Sequence, residues 1–239
     1  MHKNLRPLLI NSVLLASLLA VGCGQVEPEI ADAIPVTTDT DVTSSTTDSQ
    51  PPAPDVAGMD KMKFPAPEDI KFKDSLESNV DLPKAINELV FTNKDGTKIR
   101  MADYVDKMNV ILVFTEGFNG MICPFCQTQT SRLVANYEEF QQRDCEVIVV
   151  YPGPEEKLGE FIEAALKTEK EQVDDVPFPI ALDTDFRATD FFDIHSKHAH
   201  PSTYLIDKQG NVKFAYVGTD MTADRPSVKA LLNRLDNLE

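Results

Sequence analysis

Two cysteines separated by two residues have the clearest chemical potential in this sequence, in Cys123-Pro124-Phe125-Cys126. They directly precede a stretch whose apolar residues recur at helical spacing, and Pro124 suits the first position of a helix. Unsatisfied N–H groups and the helix dipole stabilise an anion there, so we expect the pKa of Cys123 to be lowered and its thiolate to be the nucleophile. Cys126 would lie one turn along the same face, as the resolving cysteine.

Two other interpretations of the cysteine pair carry less weight. Half of a zinc site requires a second ligand pair, and the sequence contains no other Cys-x-x-Cys. A purely structural disulfide would close a loop of only four residues, which constrains little of the unfolded chain. The pattern therefore favours a redox-active pair.

Apolar runs that alternate with amphipathic segments predict an α/β fold around this pair. Residues 110–114 and 147–151 are unbroken apolar runs, typical of strands covered on both faces. One helix is expected to begin at the Cys-Pro-Phe-Cys motif and another to span 158–166, with a third strand at 178–182.

Two hairpins are expected to complete the sheet. One spans residues 89–101 with Asp95-Gly96 at its turn, and the other spans 203–217 and is followed by a closing helix. The sequence thus predicts a domain over 76–239, in which a central mixed sheet has helices on both faces and an N-terminal hairpin extension.

The first 22 residues resemble the signal peptide of a bacterial lipoprotein. A positively charged start is followed by an apolar stretch over 8–21 and by Leu19-Ala20-Val21-Gly22-Cys23, which is similar to a lipobox. The resemblance implies that Cys23 is lipidated and begins the mature protein, anchored in the bacterial cell envelope and facing the periplasm. Gly24 slightly favours the outer membrane. An ordinary secreted protein with an incidental Cys23 is the alternative.

Residues 23–75 are expected to be a lipidated cysteine followed by a disordered tether. Their acidic, Thr-, Ser- and Pro-rich composition cannot bury enough apolar surface to offset the entropy of ordering. The formal net charge of −16 argues against nucleic-acid binding, because such a surface repels phosphates. We expect no cofactor.

The region from residue 80 to 239 resembles the thioredoxin superfamily, most closely its AhpC/TSA (peroxiredoxin-like) branch. The likeness rests on 110–114, on the Cys-Pro-Phe-Cys motif and on the stretch 200–210. It implies a thioredoxin-like fold in which Pro201 is a cis-proline beside the active cysteine. It also implies that His200 lies close to Cys123, where an imidazolium would favour the thiolate.

The sequence departs from the peroxiredoxin pattern Pro-x-x-x-Thr-x-x-Cys. Gly120 stands in the Thr position and Glu116 in the Pro position, while Ile122 replaces the usual thioredoxin tryptophan. Because the Thr hydroxyl helps to bind peroxide in that family, its absence argues against standard peroxidase catalysis.

Further titratable groups have alternative interpretations. His200 with Cys123 and Cys126 could bind Cu(I) as in a copper chaperone, whereas His195 and His198 are equally compatible with solvated loop positions. For three other residues we favour a structural role over a functional one. Cys145 is expected to be a core residue rather than a distal resolving cysteine, and Arg187 a surface residue rather than a partner of the thiolate. Glu116 is expected to be a loop carboxylate rather than a proton carrier for Cys126.

The sequence therefore predicts an envelope thiol-disulfide oxidoreductase. Its substrates would be protein disulfides, its electrons would come from a thiol reductant, and its lipid anchor would be its contact with the membrane. A peroxiredoxin-like peroxidase that reduces hydroperoxides is the first alternative, and a Cu(I)-binding chaperone is an alternative of another class.

Overall fold

A computed structural model describes residues 63–81, 86–118, 120–167 and 173–238. The expected signal peptide, Cys23 and most of the expected tether lie outside the described residues. Among the described residues, no helix has the length and hydropathy needed to cross a membrane.

The described residues form one seven-stranded mixed sheet. Its strands are β1 Val90–Asn93, β2 Lys98–Arg100, β3 Asn109–Phe114, β4 Cys145–Tyr151, β5 Ile180–Leu182, β6 Ser202–Ile206 and β7 Val212–Val217. They are arranged in the order β2-β1-β5-β4-β3-β6-β7. The three central strands β5, β4 and β3 are parallel, and β1 and β6 pair with them antiparallel. The predicted α/β architecture, with two antiparallel hairpins at the sheet edges, is confirmed.

Within the described residues, five α-helices pack on this sheet: α1 Pro124–Ala135, α2 Tyr137–Gln141, α3 Leu158–Leu166, α4 Arg187–Phe191 and α5 Val228–Asp236. Alternate residues of β3 point to opposite faces, as the pleat of a strand requires. Ile111 and Val113 belong to the core that includes residues of α1, α3 and α5, whereas Leu112 belongs to the core that includes residues of α4. Because both faces of the central strands are buried, their sequences are unbroken apolar runs.

The packed domain begins earlier than residue 76. Ile70 and Phe72 are buried in the core. The Lys73 N–H donates to the Arg225 carbonyl at 2.9 Å, and the Lys73 carbonyl accepts from the Ser227 N–H at 2.9 Å. The expected boundary is therefore wrong by several residues. The sequence around Ile70 and Phe72 has no hydrophobic periodicity of a strand or a helix. This segment is ordered instead by contacts with residues far along the chain, such as Arg225 and Ser227.

The prediction of a cis peptide bond at Pro201 is also wrong, since the described residues contain no cis peptide bond. Pro201 does lie directly before β6, and its carbonyl accepts from the Gly218 N–H at 2.7 Å. The trans form of an X-Pro bond is intrinsically favoured by about 0.5–1 kcal/mol. Here β6 pairs with both neighbours without a cis bond, so nothing in the sheet offsets that preference.

The buried carboxylate of Asp183 fixes the start of α4. It is 3% exposed and accepts from the N–H groups of Ala188 and Thr189, each at 2.9 Å, and from the Thr189 hydroxyl at 2.6 Å. We expect Asp183→Ala to lower the free energy of unfolding by about 1–3 kcal/mol, because buried donors lose their acceptor. Urea denaturation of the variant checks this. Asp185→Ala, at an exposed neighbouring carboxylate, is the control, and equal stabilities of the two variants would contradict the assignment.

Candidate active site

Three parts of the chain meet at the cysteine pair. The loop after β3 supplies Glu116, the start of α1 supplies Cys123 and Cys126, and the connection between β7 and α5 supplies Met221 and Arg225. Cys123 is the N-cap of α1, and Pro124 occupies the first helical turn, as predicted. The carboxyl end of a central strand and the N-terminus of the following helix thus bring the reactive groups together.

Both cysteines are free thiols that are almost completely buried, each 2% exposed. The Cys126 sulfur accepts from the Glu116 backbone N–H at 3.2 Å and from Nη1 of Arg225 at 3.2 Å. The Cys123 sulfur is 3.5 Å from Nη2 of the same guanidinium and donates to Oε2 of Glu116 at 3.2 Å. One cation therefore contacts both sulfurs, while one carboxylate faces only Cys123.

Arg225 and Glu116 form a buried ion pair beside the thiols. Each is 1% exposed, and Nη2 of Arg225 lies 3.5 Å from Oε2 of Glu116. The guanidinium also donates to the Gln129 side chain at 3.3 Å, and the same carboxylate oxygen accepts from the Met221 N–H at 2.8 Å. Charges this deeply buried require such partners, because desolvation would otherwise be prohibitive.

These contacts make the two thiols unequal. Burial alone would raise the pKa of Cys126, but the hydrogen bond from Cys123, the charge of Arg225 and the Glu116 N–H outweigh it and lower that pKa below its ordinary value. The pKa of Cys123 is raised by its hydrogen bond with Cys126, by burial and by the negative charges nearby, with Arg225 opposing. The expected lowering at Cys123 is therefore corrected. The closer charges outweigh its helix N-terminus, and they favour the thiolate form of Cys126.

The histidines are arranged differently from the expectation. Nδ1 of His200 is 2.7 Å from Oδ1 of Asp220, and no hydrogen bond or ion pair among the described residues joins His200 to either cysteine. His198 is nearer the site, with Nε2 at 3.5 Å from Glu116 Oε1 and 3.1 Å from Asp220 Oδ2. His195 instead pairs with Asp190 at 2.6 Å.

The structure also bears on the interpretations of Cys145, Arg187 and Glu116. Cys145 is a fully buried residue at the start of β4 whose pKa is raised by burial, which agrees with a core role. The Arg187 side chain is 86% exposed and its nearest carboxylate, on Asp185, is 4.0 Å away, so it is a surface residue as favoured. The favoured interpretation of Glu116 as an ordinary loop carboxylate is wrong.

Sequence reasoning missed Arg225 and Asp220 entirely. Arg225 approaches the sulfurs across 99 and 102 residues of sequence. It lies between Asp224 and a proline just before α5, a setting that is also common for exposed arginines. No local signal distinguishes it.

A buried dithiol at the start of a helix, flanked by a cation and a carboxylate, defines a thiol-based redox protein. The AhpC/TSA family matches residues 82–215, more than half of the sequence, and the chain belongs to that family.

Two curated relatives from Bacillus subtilis are similar over most of the domain. The thiol-disulfide oxidoreductase ResA is 27% identical over 147 residues, which cover 62% of this chain and 71% of that protein. Peroxiredoxin Bcp is 22% identical over 142 residues, which cover 56% of this chain and 82% of that protein. Both relationships are distant.

Solved structures show the same fold. Peroxiredoxin 6 of Arenicola marina aligns with a TM-score of 0.56 at 14% identity, covering 66% of this chain and 73% of that one. A yeast mitochondrial 1-Cys peroxiredoxin aligns with a TM-score of 0.53 at 21% identity, covering 68% and 76%. These likenesses confirm the predicted thioredoxin-like α/β fold.

The contacts of Arg225 predict a specific change in thiol ionisation. In a Cys145→Ala background, we expect Arg225→Met to raise the pKa of the more acidic thiol by roughly one to three pH units, because the adjacent positive charge is lost. Thiolate ultraviolet absorbance followed against pH measures it.

Arg132→Met is the matched control, since that guanidinium hydrogen-bonds the Pro67 and Ile70 carbonyls instead of the sulfurs. Arg225→Lys keeps a positive charge, so its thiol pKa should lie between those of the wild type and of Arg225→Met. This second variant keeps the test valid if Arg225→Met does not fold. An unchanged titration in folded Arg225→Met would refute the electrostatic assignment.

Proposed function

We propose that this protein is a thiol-disulfide oxidoreductase that uses Cys123 and Cys126 as its redox pair. The observation that carries the proposal is the contact of one buried guanidinium with both sulfurs, at 3.2 and 3.5 Å. A nucleophile and a resolving thiol held in one site can form and open a disulfide with a substrate. The likeness to ResA supports the same reaction class.

The proposed reaction proceeds in two exchanges. The Cys123 thiolate attacks one sulfur of a target disulfide, and the other target sulfur leaves as a thiolate that takes up a proton. The Cys126 thiolate then attacks Cys123 in the mixed disulfide, which releases the second target thiol. The target gains two electrons, and an external thiol reductant restores the enzyme dithiol.

Glu116 has a place in this sequence of steps. Its Oε2 is the acceptor of the Cys123 thiol at 3.2 Å, so it is positioned to take the proton when Cys123 becomes the nucleophile. Cys126 needs no such base, because the guanidinium and the Glu116 N–H already stabilise its thiolate. The carboxylate thus acts on Cys123, whereas the guanidinium contacts both sulfurs and stabilises the thiolate of Cys126.

The backbone before Cys123 favours disulfide exchange over peroxide reduction. Gly120, in the position of the peroxiredoxin threonine, is exposed and has φ +79°. A threonine is strained in this left-handed conformation, because its branched Cβ meets the backbone. The loop therefore has a course that the threonine of the peroxidase pattern fits poorly.

The Cu(I) chaperone is not supported by the site. Arg225 already places a positive charge against both sulfurs, and it opposes a second cation between them. His200, the expected third ligand, is hydrogen-bonded to Asp220.

Trapping the mixed disulfide tests the proposed function. In Cys126→Ser, we expect reaction with a small aromatic disulfide to stop at a stable adduct on Cys123, because the resolving thiol is missing. Cys123→Ser should react only at the rate of the uncatalysed exchange. Mass spectrometry of the adducts and stopped-flow rates of the wild type measure both, with Cys145→Ala as a control that should behave like the wild type.

A parallel stopped-flow series uses hydrogen peroxide as the oxidant. We expect a rate no faster than that of a free thiol. Fast, Cys123-dependent oxidation by peroxide, together with slow disulfide exchange, would replace the oxidoreductase assignment with a peroxidase.

We also propose that the protein is lipid-anchored in the bacterial cell envelope, on the periplasmic side. The support is the sequence alone: the apolar stretch over 8–21 followed by Leu-Ala-Val-Gly-Cys ending at Cys23. Lipid chains on the terminal cysteine would hold a soluble domain at the membrane without a spanning helix.

Metabolic labelling with a fatty acid checks the anchor. We expect the full chain expressed in a Gram-negative bacterium to incorporate the label and to partition into detergent, and Cys23→Ser to do neither. Cys145→Ser is the control that should keep the label. Labelled Cys23→Ser would show that the attachment site lies elsewhere.

A further inference from the structure

The two oxygens of the Glu116 carboxylate have very different surroundings. Oε2 has three close groups: the Cys123 thiol at 3.2 Å, the Met221 N–H at 2.8 Å and the Arg225 guanidinium at 3.5 Å. Oε1 is buried and has no hydrogen-bond partner among the described residues. The His198 imidazole lies 3.5 Å from it, and a buried carboxylate oxygen without a hydrogen bond calls for an ion, a water or another ligand.

Two potential metal ligands face this orphaned oxygen. Nε2 of His198 lies 3.5 Å from Glu116 Oε1 and 3.1 Å from Oδ2 of Asp220. The three ligand atoms all lie within 4.8 Å of one another. Zinc–nitrogen and zinc–oxygen bonds of about 2.0–2.2 Å place neighbouring ligands of a tetrahedron roughly 3.3–3.6 Å apart. The two separations from His198, 3.5 and 3.1 Å, are close to that spacing.

We propose that Glu116, His198 and Asp220 form a binding site for a divalent transition-metal ion of the Zn²⁺ type, beside the dithiol and separate from its sulfurs. Nitrogen from one imidazole and oxygen from two carboxylates suit such an ion better than Mg²⁺ or Ca²⁺, which prefer all-oxygen sites. Three protein ligands leave the fourth tetrahedral position open.

The neighbouring contacts orient two of the three ligands. The hydrogen bond from Met221 and the contact with Arg225 engage Oε2 of Glu116, which leaves Oε1 directed at His198. His200 engages Oδ1 of Asp220 at 2.7 Å, which leaves Oδ2 available. Partners of this kind fix the direction of metal ligands in known sites.

Charge and access also favour a cation. The carboxylates of Glu116 and Asp220 repel each other at this separation, and a divalent ion between them removes the repulsion. Arg225 pairs with the opposite oxygen of Glu116 and offsets part of this gain. The side chains of His198 and Asp220 are 14% and 29% exposed, so an ion can enter from the solvent side without passing the sulfurs.

The site has the features of an exchangeable one. Nδ1 of His198 is buried without a hydrogen-bond partner among the described residues. Loss of such an outer partner typically weakens metal affinity by 10–100-fold. We therefore expect reversible binding that a chelator removes without unfolding the protein.

Metal titration of the full chain tests the proposal, with Zn²⁺ measured by calorimetry and Co²⁺ by its absorption spectrum. The key variant is Cys123→Ser/Cys126→Ser, which removes the competing sulfur ligands. We expect it to bind one ion per chain, with visible Co²⁺ bands typical of nitrogen and oxygen ligands and without a thiolate charge-transfer band. In this background, His198→Gln and Asp220→Asn should each weaken binding at least 10-fold.

His195→Gln in the same background is the matched control, because His195 pairs with Asp190 in a similar His–Asp contact that has no third ligand among the described residues. It should leave binding unchanged. Circular dichroism of each variant confirms that loss of binding is not loss of fold. The proposal is overturned if the double serine variant binds no ion, or if His198→Gln binds as tightly as its parent.

Discussion

The buried ion pair between Glu116 and Arg225 is the constraint on which the site depends. Neither group can lie in the interior alone, since removing one partner of such a pair costs about 3–5 kcal/mol. Their contact at 3.5 Å joins the loop after β3 to the connection between β7 and α5. The early segment of the domain contributes as well, because Lys73 hydrogen-bonds the backbone on both sides of Pro226. The buried ion pair therefore fixes where the loop after β3, the connection between β7 and α5 and the early segment of the domain meet.

The ion pair also decides how the dithiol ionises. The helix N-terminus acts on Cys123, which is its N-cap, and by itself would favour a thiolate there. Arg225 and the Glu116 N–H act on Cys126 at hydrogen-bond distance, while the Glu116 carboxylate faces Cys123. Full charges at about 3 Å outweigh a partial charge spread over a helix end. The contacts therefore raise the pKa of Cys123, the thiol that the motif alone marks as acidic.

This outcome shows what the sequence can predict and where it stops. The strands, the helices α1, α3 and α5 and the Cys-x-x-Cys placement follow from local signals, such as the apolar runs of β3 and β4 and the Asp95-Gly96 turn, and were predictable, whereas the separate helix α2 was not predicted. The position of Arg225 at the site and the burial of Glu116 depend on contacts between residues about 100 positions apart in the sequence. Neither hydrophobic periodicity nor secondary-structure propensity predicts such contacts. His200 was misplaced for a different reason: its position beside Pro201 was predictable, but Asp220, only 20 residues away in the sequence, engages its ring.

Burial of the sulfurs adds a final requirement to any reaction at this site. With both cysteines 2% exposed, a disulfide substrate cannot reach either sulfur in the described arrangement. Cys126 lies within α1 and is held by Arg225, whereas Cys123 precedes the helix and borders the loop that follows β3. Gly117 and Gly120 in that loop have φ +79° each, a conformation from which glycine can move at little steric cost. Exposure of the nucleophile therefore requires a rearrangement of the groups that pack against Cys123, which include Glu116 and Arg225.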